Sequence, residues 1–95
     1  MAQDADVKVS AGIWKQLTNA DVTSISFQCQ SYQGVTIRVT VGAVQPTDTG
    51  GWYYGGVLKQ GELNIALSDL SPGVVGGNRV YAFSDLDCVI RVSHA

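Results

Sequence analysis

Nucleophilic catalysis needs a base beside its serine or cysteine, and the chain's single histidine, His94, stands next to the last residue. A triad built on a fraying end would be poorly oriented, so His94 reads as a solvent-exposed terminal residue and no catalytic group is assigned. Two carboxylates facing each other across a cleft can hydrolyse a glycosidic bond. Here Asp48, Glu62, Asp69, Asp85 and Asp87 fall in turn-like segments, where acids supply solubility and turn hydrogen bonds. Asp85 and Asp87 could offer oxygens to calcium, but the other ligands of a dedicated loop are missing around them and no metal is expected.

Cys29 and Cys88 form no CxxC pair, which argues against a zinc knuckle or a thioredoxin-type motif. Each keeps the phase of apolar neighbours, Ile25 and Phe27 for the first and Ile90 and Val92 for the second. Both read as buried free thiols, with a disulfide between neighbouring strands as the alternative. The glycine pairs Gly50-Gly51, Gly55-Gly56 and Gly76-Gly77 lack the order of a phosphate-binding loop and open no helix, so neither a nucleotide nor any other cofactor is expected.

What remains is aromatic. Trp52, Tyr53 and Tyr54 stand together between two glycine pairs. As a loop, the three rings would form a contact surface for a protein or a sugar ring, because aromatic side chains combine large area with a polar tip. As a strand, they would place Trp52 and Tyr54 on one face and Tyr53 on the other, and core or edge packing would absorb part of them. They are the candidate binding residues. Trp14, by contrast, reads as core.

The elements that position these residues follow a period of two. Val35, Ile37, Val39 and Val41 lie on one face with Thr36, Arg38 and Thr40 on the other, and Ile25, Phe27 and Cys29 alternate with Ser24, Ser26, Gln28 and Gln30. Ser31 to Gly34 has hairpin length, so the two strands are expected to pair antiparallel. The first strand runs on toward Val44 before a loop at 46–51. A further strand is expected from Trp52 to Leu58, then a turn at 59–62, and Leu63, Ile65 and Leu67 again alternate. Ser68 to Gly73 reads as a short helical turn or tight loop capped by Ser68 or Asp69. Arg79 to Phe83 and Cys88 to His94 form the last two strands, joined by the turn at 84–87. Val7 to Val9 is a weaker segment. Ile13 to Asn19 is the best helical candidate, and a marginal one beside Gly12. Turn signals every 8–12 residues or so predict an all-β fold: a small β-sandwich or jelly roll of about seven or eight short antiparallel strands. Residues 1–95 form one domain, with 1–20 an N-terminal arm or an edge strand.

The bulk numbers agree. With 95 residues, 45% of them hydrophobic and 15% charged, the chain has enough apolar surface for a single core and too little charge for disorder. A domain of this size buries only about 60–65% of its extended surface, so self-association would add stability. Six scattered basic residues and a net charge of −2 exclude a stripe that tracks a phosphate backbone. No apolar run approaches the length of a membrane span and the first residues are polar and acidic, so neither nucleic acid nor membrane is an expected partner, and folding in a cytoplasm is.

Ile25 to Gln28, Val35 to Val39, Val41 to Thr47, Gly56 to Glu62, Val80 to Ser84 and Val89 to Val92 together resemble small virion proteins of tailed bacteriophages, of the head-decoration or head-fibre type. The resemblance covers roughly residues 20–93 and rests on strand alternation and a glycine-proline turn. It implies a non-enzymatic β-sandwich subunit, made in the host cytoplasm and carried on the virion. Its implied partners are capsid or other virion proteins and copies of itself, with a trimer favoured. Where such proteins carry simple polar residues, this chain has Gly51 to Gly55 with its three rings. The reading kept beside it is a carbohydrate-binding β-sandwich module that uses Trp52, Tyr53 and Tyr54.

Overall fold

The computed structural model describes residues 2–31, 33–54 and 61–95. Eight strands and one helical turn follow in order: β1 (Gln3–Val9), β2 (Lys15–Gln16), β3 (Ser24–Cys29), β4 (Val35–Thr40), β5 (Trp52–Tyr54), β6 (Gly61–Ala66), α1 (Leu67–Leu70), β7 (Arg79–Phe83) and β8 (Cys88–His94). They form two four-stranded sheets, β1-β8-β3-β6 and β2-β7-β4-β5, in which every pairing is antiparallel.

The pairs β1·β8, β2·β7, β3·β6 and β4·β5 are those of one long hairpin whose tip is the loop between β4 and β5. Rolling that hairpin up brings β8 against β3 and β7 against β4, which completes both sheets. This is jelly-roll connectivity, and it explains why all but one of the strand-to-strand connections change sheet. The expected hairpin between the strands at 24–29 and 35–40 is therefore corrected. β3 and β4 lie in different sheets. Alternation tells which face of a strand is buried, and it is equally satisfied by any neighbour. The crossing is built by bonds at its ends: Gln30 N donates to Val89 O at 2.9 Å, Val89 N to Ser31 Oγ at 3.2 Å, and Ser84 Oγ to the Gly34 carbonyl at 2.8 Å.

Between the sheets lies a core formed by the inward phases of the strands: Val9 from β1, Ile25, Phe27 and Cys29 from β3, Val35, Ile37 and Val39 from β4, Val80 and Ala82 from β7, Cys88, Ile90 and Val92 from β8. Cys29 and Cys88 are free and buried, and burial, more than the proximity of the two sulfurs, holds the Cys29 thiol above its ordinary pKa. A thiol kept neutral and out of solvent is a poor nucleophile. Accordingly, 5,5′-dithiobis(2-nitrobenzoate) is expected to label neither cysteine in the native protein within minutes and both after denaturation. Rapid native labelling would contradict the burial.

Several local expectations are corrected by tertiary contacts. Leu63 is 80% exposed, because three β6 steps from Glu62 to Ile65 oppose two β3 steps from Phe27 to Ile25. That bulge, with Asn64 at φ 48° and its N–H donating to Ser26 Oγ at 2.7 Å, breaks the alternation of Leu63, Ile65 and Leu67. β4 stops at Thr40, so Val41 is exposed. Residues 13–19 hold no helix; their backbone is drawn into β2, and Leu17 N donates to Val80 O at 2.8 Å. The helical turn α1 has Ala66 at its N-cap position and so no side-chain cap, and Ser68 and Asp69 lie within it while Leu67 and Leu70 anchor it in the core. Glu62 likewise belongs to a strand. The N-terminal segment is an edge strand, longer than Val7 to Val9, pairing with β8 over its whole length. That pairing also covers His94, which is only 8% exposed, with Nε2 at 3.3 Å from Gln3 Oε1. The continuation of the Trp52 strand to Leu58 and the turn at 59–60 lie outside the described residues.

Candidate functional site

The candidate residues Trp52, Tyr53 and Tyr54 form β5, the edge strand of its sheet, paired with β4 in the register Ile37↔Trp52, Thr36↔Tyr53 and Val35↔Tyr54. A strand sends successive side chains to opposite faces, so the triplet is divided rather than gathered into one platform. Tyr54 turns inward and meets Phe27 edge to face, with centroids 5.2 Å apart and planes at 85°. Its hydroxyl donates to Glu62 Oε2 at 3.4 Å. Burial first, and then the carboxylate of Glu62, push its pKa up to about 12. Tyr54 is the structural member of the three.

Trp52 shares that side of the strand but stands at the rim, 53% exposed, with Nε1 donating to Ser71 Oγ at 2.7 Å. The indole is thus pinned to the segment that follows α1 while much of its ring faces solvent. It forms a wall between two shallow cavities. One, of about 330 Å³, is completed by Val39, Asp48, Ser71 and Val74. The other, of about 450 Å³, is completed by Tyr54, Ile65, Leu70 and Pro72. Beyond Val74, exposed Val41 and Val44 line a third concavity, so apolar groups from Ile65 past Trp52 to Val44 share the open seam of the sandwich with Arg38, Asp48, Glu62 and Asp69.

Tyr53 projects from the other face and is 71% exposed. Its hydroxyl end lies over Gly34, where a Cβ would collide with it. With Phe83, Leu86, Gln33, Thr36 and Asp85 it lines a cavity of about 410 Å³ on the outside of the β2-β7-β4-β5 sheet.

The chain matches no protein-family model, no curated protein and no solved structure.

The loop between β4 and β5 is folded back against the outside of the same sheet. Asp48 pairs with Arg38 and accepts from Gly50 N at 3.0 Å; the backbone bond first and the guanidinium second hold its carboxyl below the usual range. Trp14 Nε1 donates to the Asp48 carbonyl at 3.1 Å, and the indole packs on Phe83 at 5.2 Å. Trp14 is buried as expected, yet against the outer face rather than between the sheets, since Phe83 lies out of phase with the inward Val80 and Ala82. Asp87, the second acid of the Asp85-Leu86-Asp87 turn, is occupied as an acceptor from Ala11 N at 2.8 Å.

Sequence reasoning found Trp52 but missed its company. Ile65, Leu70, Ser71, Val74 and Val44 come from three other segments and meet only because β5 and β6 form the same edge of the two layers. One signal was present: Val75 is a large apolar residue in a glycine-rich loop, where nothing local buries it.

Proposed function

We propose that this chain is a non-enzymatic structural subunit of a virion, docking to capsid or other virion proteins through the seam centred on Trp52. The observation that carries the reading is the half-exposed indole, fixed by its bond to Ser71 between two apolar concavities. Interfaces draw most of their energy from a few aromatic anchors whose rotamers are already held, because little conformational entropy is then lost on docking. An exposed seam rich in apolar groups suits repeated contacts on a symmetric particle, where multivalency multiplies a modest single-site affinity. The jelly-roll plan is found in viral capsid proteins and in lectins alike, so the plan supports the reading while the site must decide it.

Cosedimentation with tailed-phage heads is the test. Wild-type chain is expected to pellet with the particles, and Trp52→Ala, with an unchanged far-UV circular dichroism spectrum, to bind roughly thirtyfold more weakly per site, the effect of losing about 2 kcal/mol at an anchor. Wild-type chain that stays in the supernatant, or a Trp52→Ala variant that binds equally, overturns the proposal. One observation favours a carbohydrate-binding alternative: the cavity beside Tyr53 joins two rings to Gln33, Thr36 and Asp85, a mixture suited to a sugar's apolar face and hydroxyls. Glycan binding that is lost in Tyr53→Ala, with Trp52→Ala silent, would transfer the function to that face.

A further inference from the structure

At the other side of the sandwich β1 is an edge strand of seven residues. Its ladder bonds go to β8, and no other backbone hydrogen bond among the described residues reaches Asp4 to Val9. A row of unpaired N–H and C=O groups is a template for another strand. Beside it lies a groove of about 600 Å³ toward β2, whose apolar lining includes Ala5, Val7 and Leu17. Charged side chains on an edge ordinarily repel a second strand. Here the order of their signs selects one.

We propose that two copies of this chain pair β1 to β1, antiparallel about a two-fold axis at Val7, joining their sheets into one of eight strands. Antiparallel partners directly opposite one another point to the same face, so an outward residue must meet an outward residue and the axis must pass through a residue. Five axes, at Asp4, Ala5, Asp6, Val7 and Lys8, pair at least three residues of the strand. Axes at Asp4, Asp6 and Lys8 each set that residue against its own copy, and one at Ala5 sets Asp4 against Asp6; each opposes like charges, although the axis at Asp6 also sets Asp4 against Lys8. Only the axis at Val7 places Asp6 opposite Lys8 of the second copy, twice by symmetry, with Val7 opposite Val7 and Ala5 opposite Val9 on the inner side. Arg91 already stands opposite Asp6 in β8, with Nη1 at 3.4 Å from Oδ1. The dimer therefore carries rows of alternating sign, Arg91, Asp6 and the second copy's Lys8, across three strands. Gln3, whose Nε2 donates to the Leu17 carbonyl at 2.9 Å, lies outside the paired stretch and leaves it open. A closed trimer needs two unlike patches, whereas β1 is complementary to itself, so this self-contact is two-fold. It is independent of the particle reading: the chain can dimerise without docking at Trp52, and dock without dimerising.

Sedimentation equilibrium of the full chain reads the dimer directly. Lys8→Glu turns both Asp6 contacts into like-charge pairs, Asp6→Lys does the same to both Lys8 contacts, and each variant alone is expected to weaken dimerisation about tenfold or more. An equimolar mixture restores opposite charges at both pairs and is expected to form the heterodimer. The axis is read by cysteine cross-linking: facing residues have Cα atoms about 4.5–5.5 Å apart, within disulfide reach. Val7→Cys is thus expected to give an oxidised, covalent dimer, and Ala5→Cys, which faces Val9, none beyond the wild-type background. A monomeric wild-type chain at several hundred micromolar, a mixture that stays monomeric, or cross-linking at position 5 instead of 7 overturns the proposal. The cross-linking variants leave every charge in place, so they decide the register even if a charge variant misfolds.

Discussion

Phe27→Ala is expected to lower the stability of the fold by about 3–5 kcal/mol, read as a drop in the urea midpoint with an unchanged slope. Phe27 is the largest fully buried side chain among the described residues and sits in β3, a central strand hydrogen-bonded to both β6 and β8. It also supplies the edge-to-face contact that seats Tyr54 and so holds β5 over β3. Truncation removes the transfer energy of a benzyl group and leaves a cavity whose walls are backbone-paired strands unable to collapse. A domain of this size has about 5–14 kcal/mol in all, so the variant should lose a large share of its stability. A loss below about 1 kcal/mol would mean that the two layers are not packed through this residue.

Gly61→Ala is the second, and its cause is backbone rather than side chain. A Cβ at Gly61 would collide with the Phe27 carbonyl oxygen and approach Gln28 Cα to 2.8 Å, and neither atom belongs to a side chain that could swing away. β6 must then lift from β3 where Gln28 faces Gly61, at a cost of about 1–3 kcal/mol. Gly73→Ala is the matched control. A Cβ there meets nothing within 4 Å, so the change should stay within about 0.5 kcal/mol. Equal effects at the two positions would show that loss of glycine flexibility, and not the close approach of two strands, is being measured. Because β6 carries Ile65 and Glu62 to the seam, Gly61→Ala should also weaken any contact made through Trp52.

Much of the architecture was legible in the residues. The inward phases Ile25-Phe27-Cys29, Val35-Ile37-Val39 and Ile90-Val92 were read from period two alone and are the interlayer core. A strand's alternation is a local consequence of its pleat, so it survives without knowledge of neighbours. Failures fell where a neighbour decides. Leu63 broke phase because β3 imposes a bulge on β6, His94 was covered by Gln3 across the β1·β8 pair, and Lys15–Gln16, inside the helical candidate 13–19, paired with β7. Helical spacing over one turn is a weak preference, and the ladder bonds to a waiting strand outweigh it.

The same division holds for the site. By itself, the order of residue types determined an all-β sandwich and marked Trp52, Tyr53 and Tyr54 as unusual. Only the tertiary structure decided that these rings part company, Tyr54 into the core, Trp52 to an apolar seam and Tyr53 to a polar hollow on the opposite face. It also decided that β1 is an edge strand of the other sheet. Which strands become edges depends on how the long hairpin rolls up, a matter of pairing among residues as distant as Gln3 and His94. Pairing at such range is governed by the packing of whole faces, and no local pattern records it.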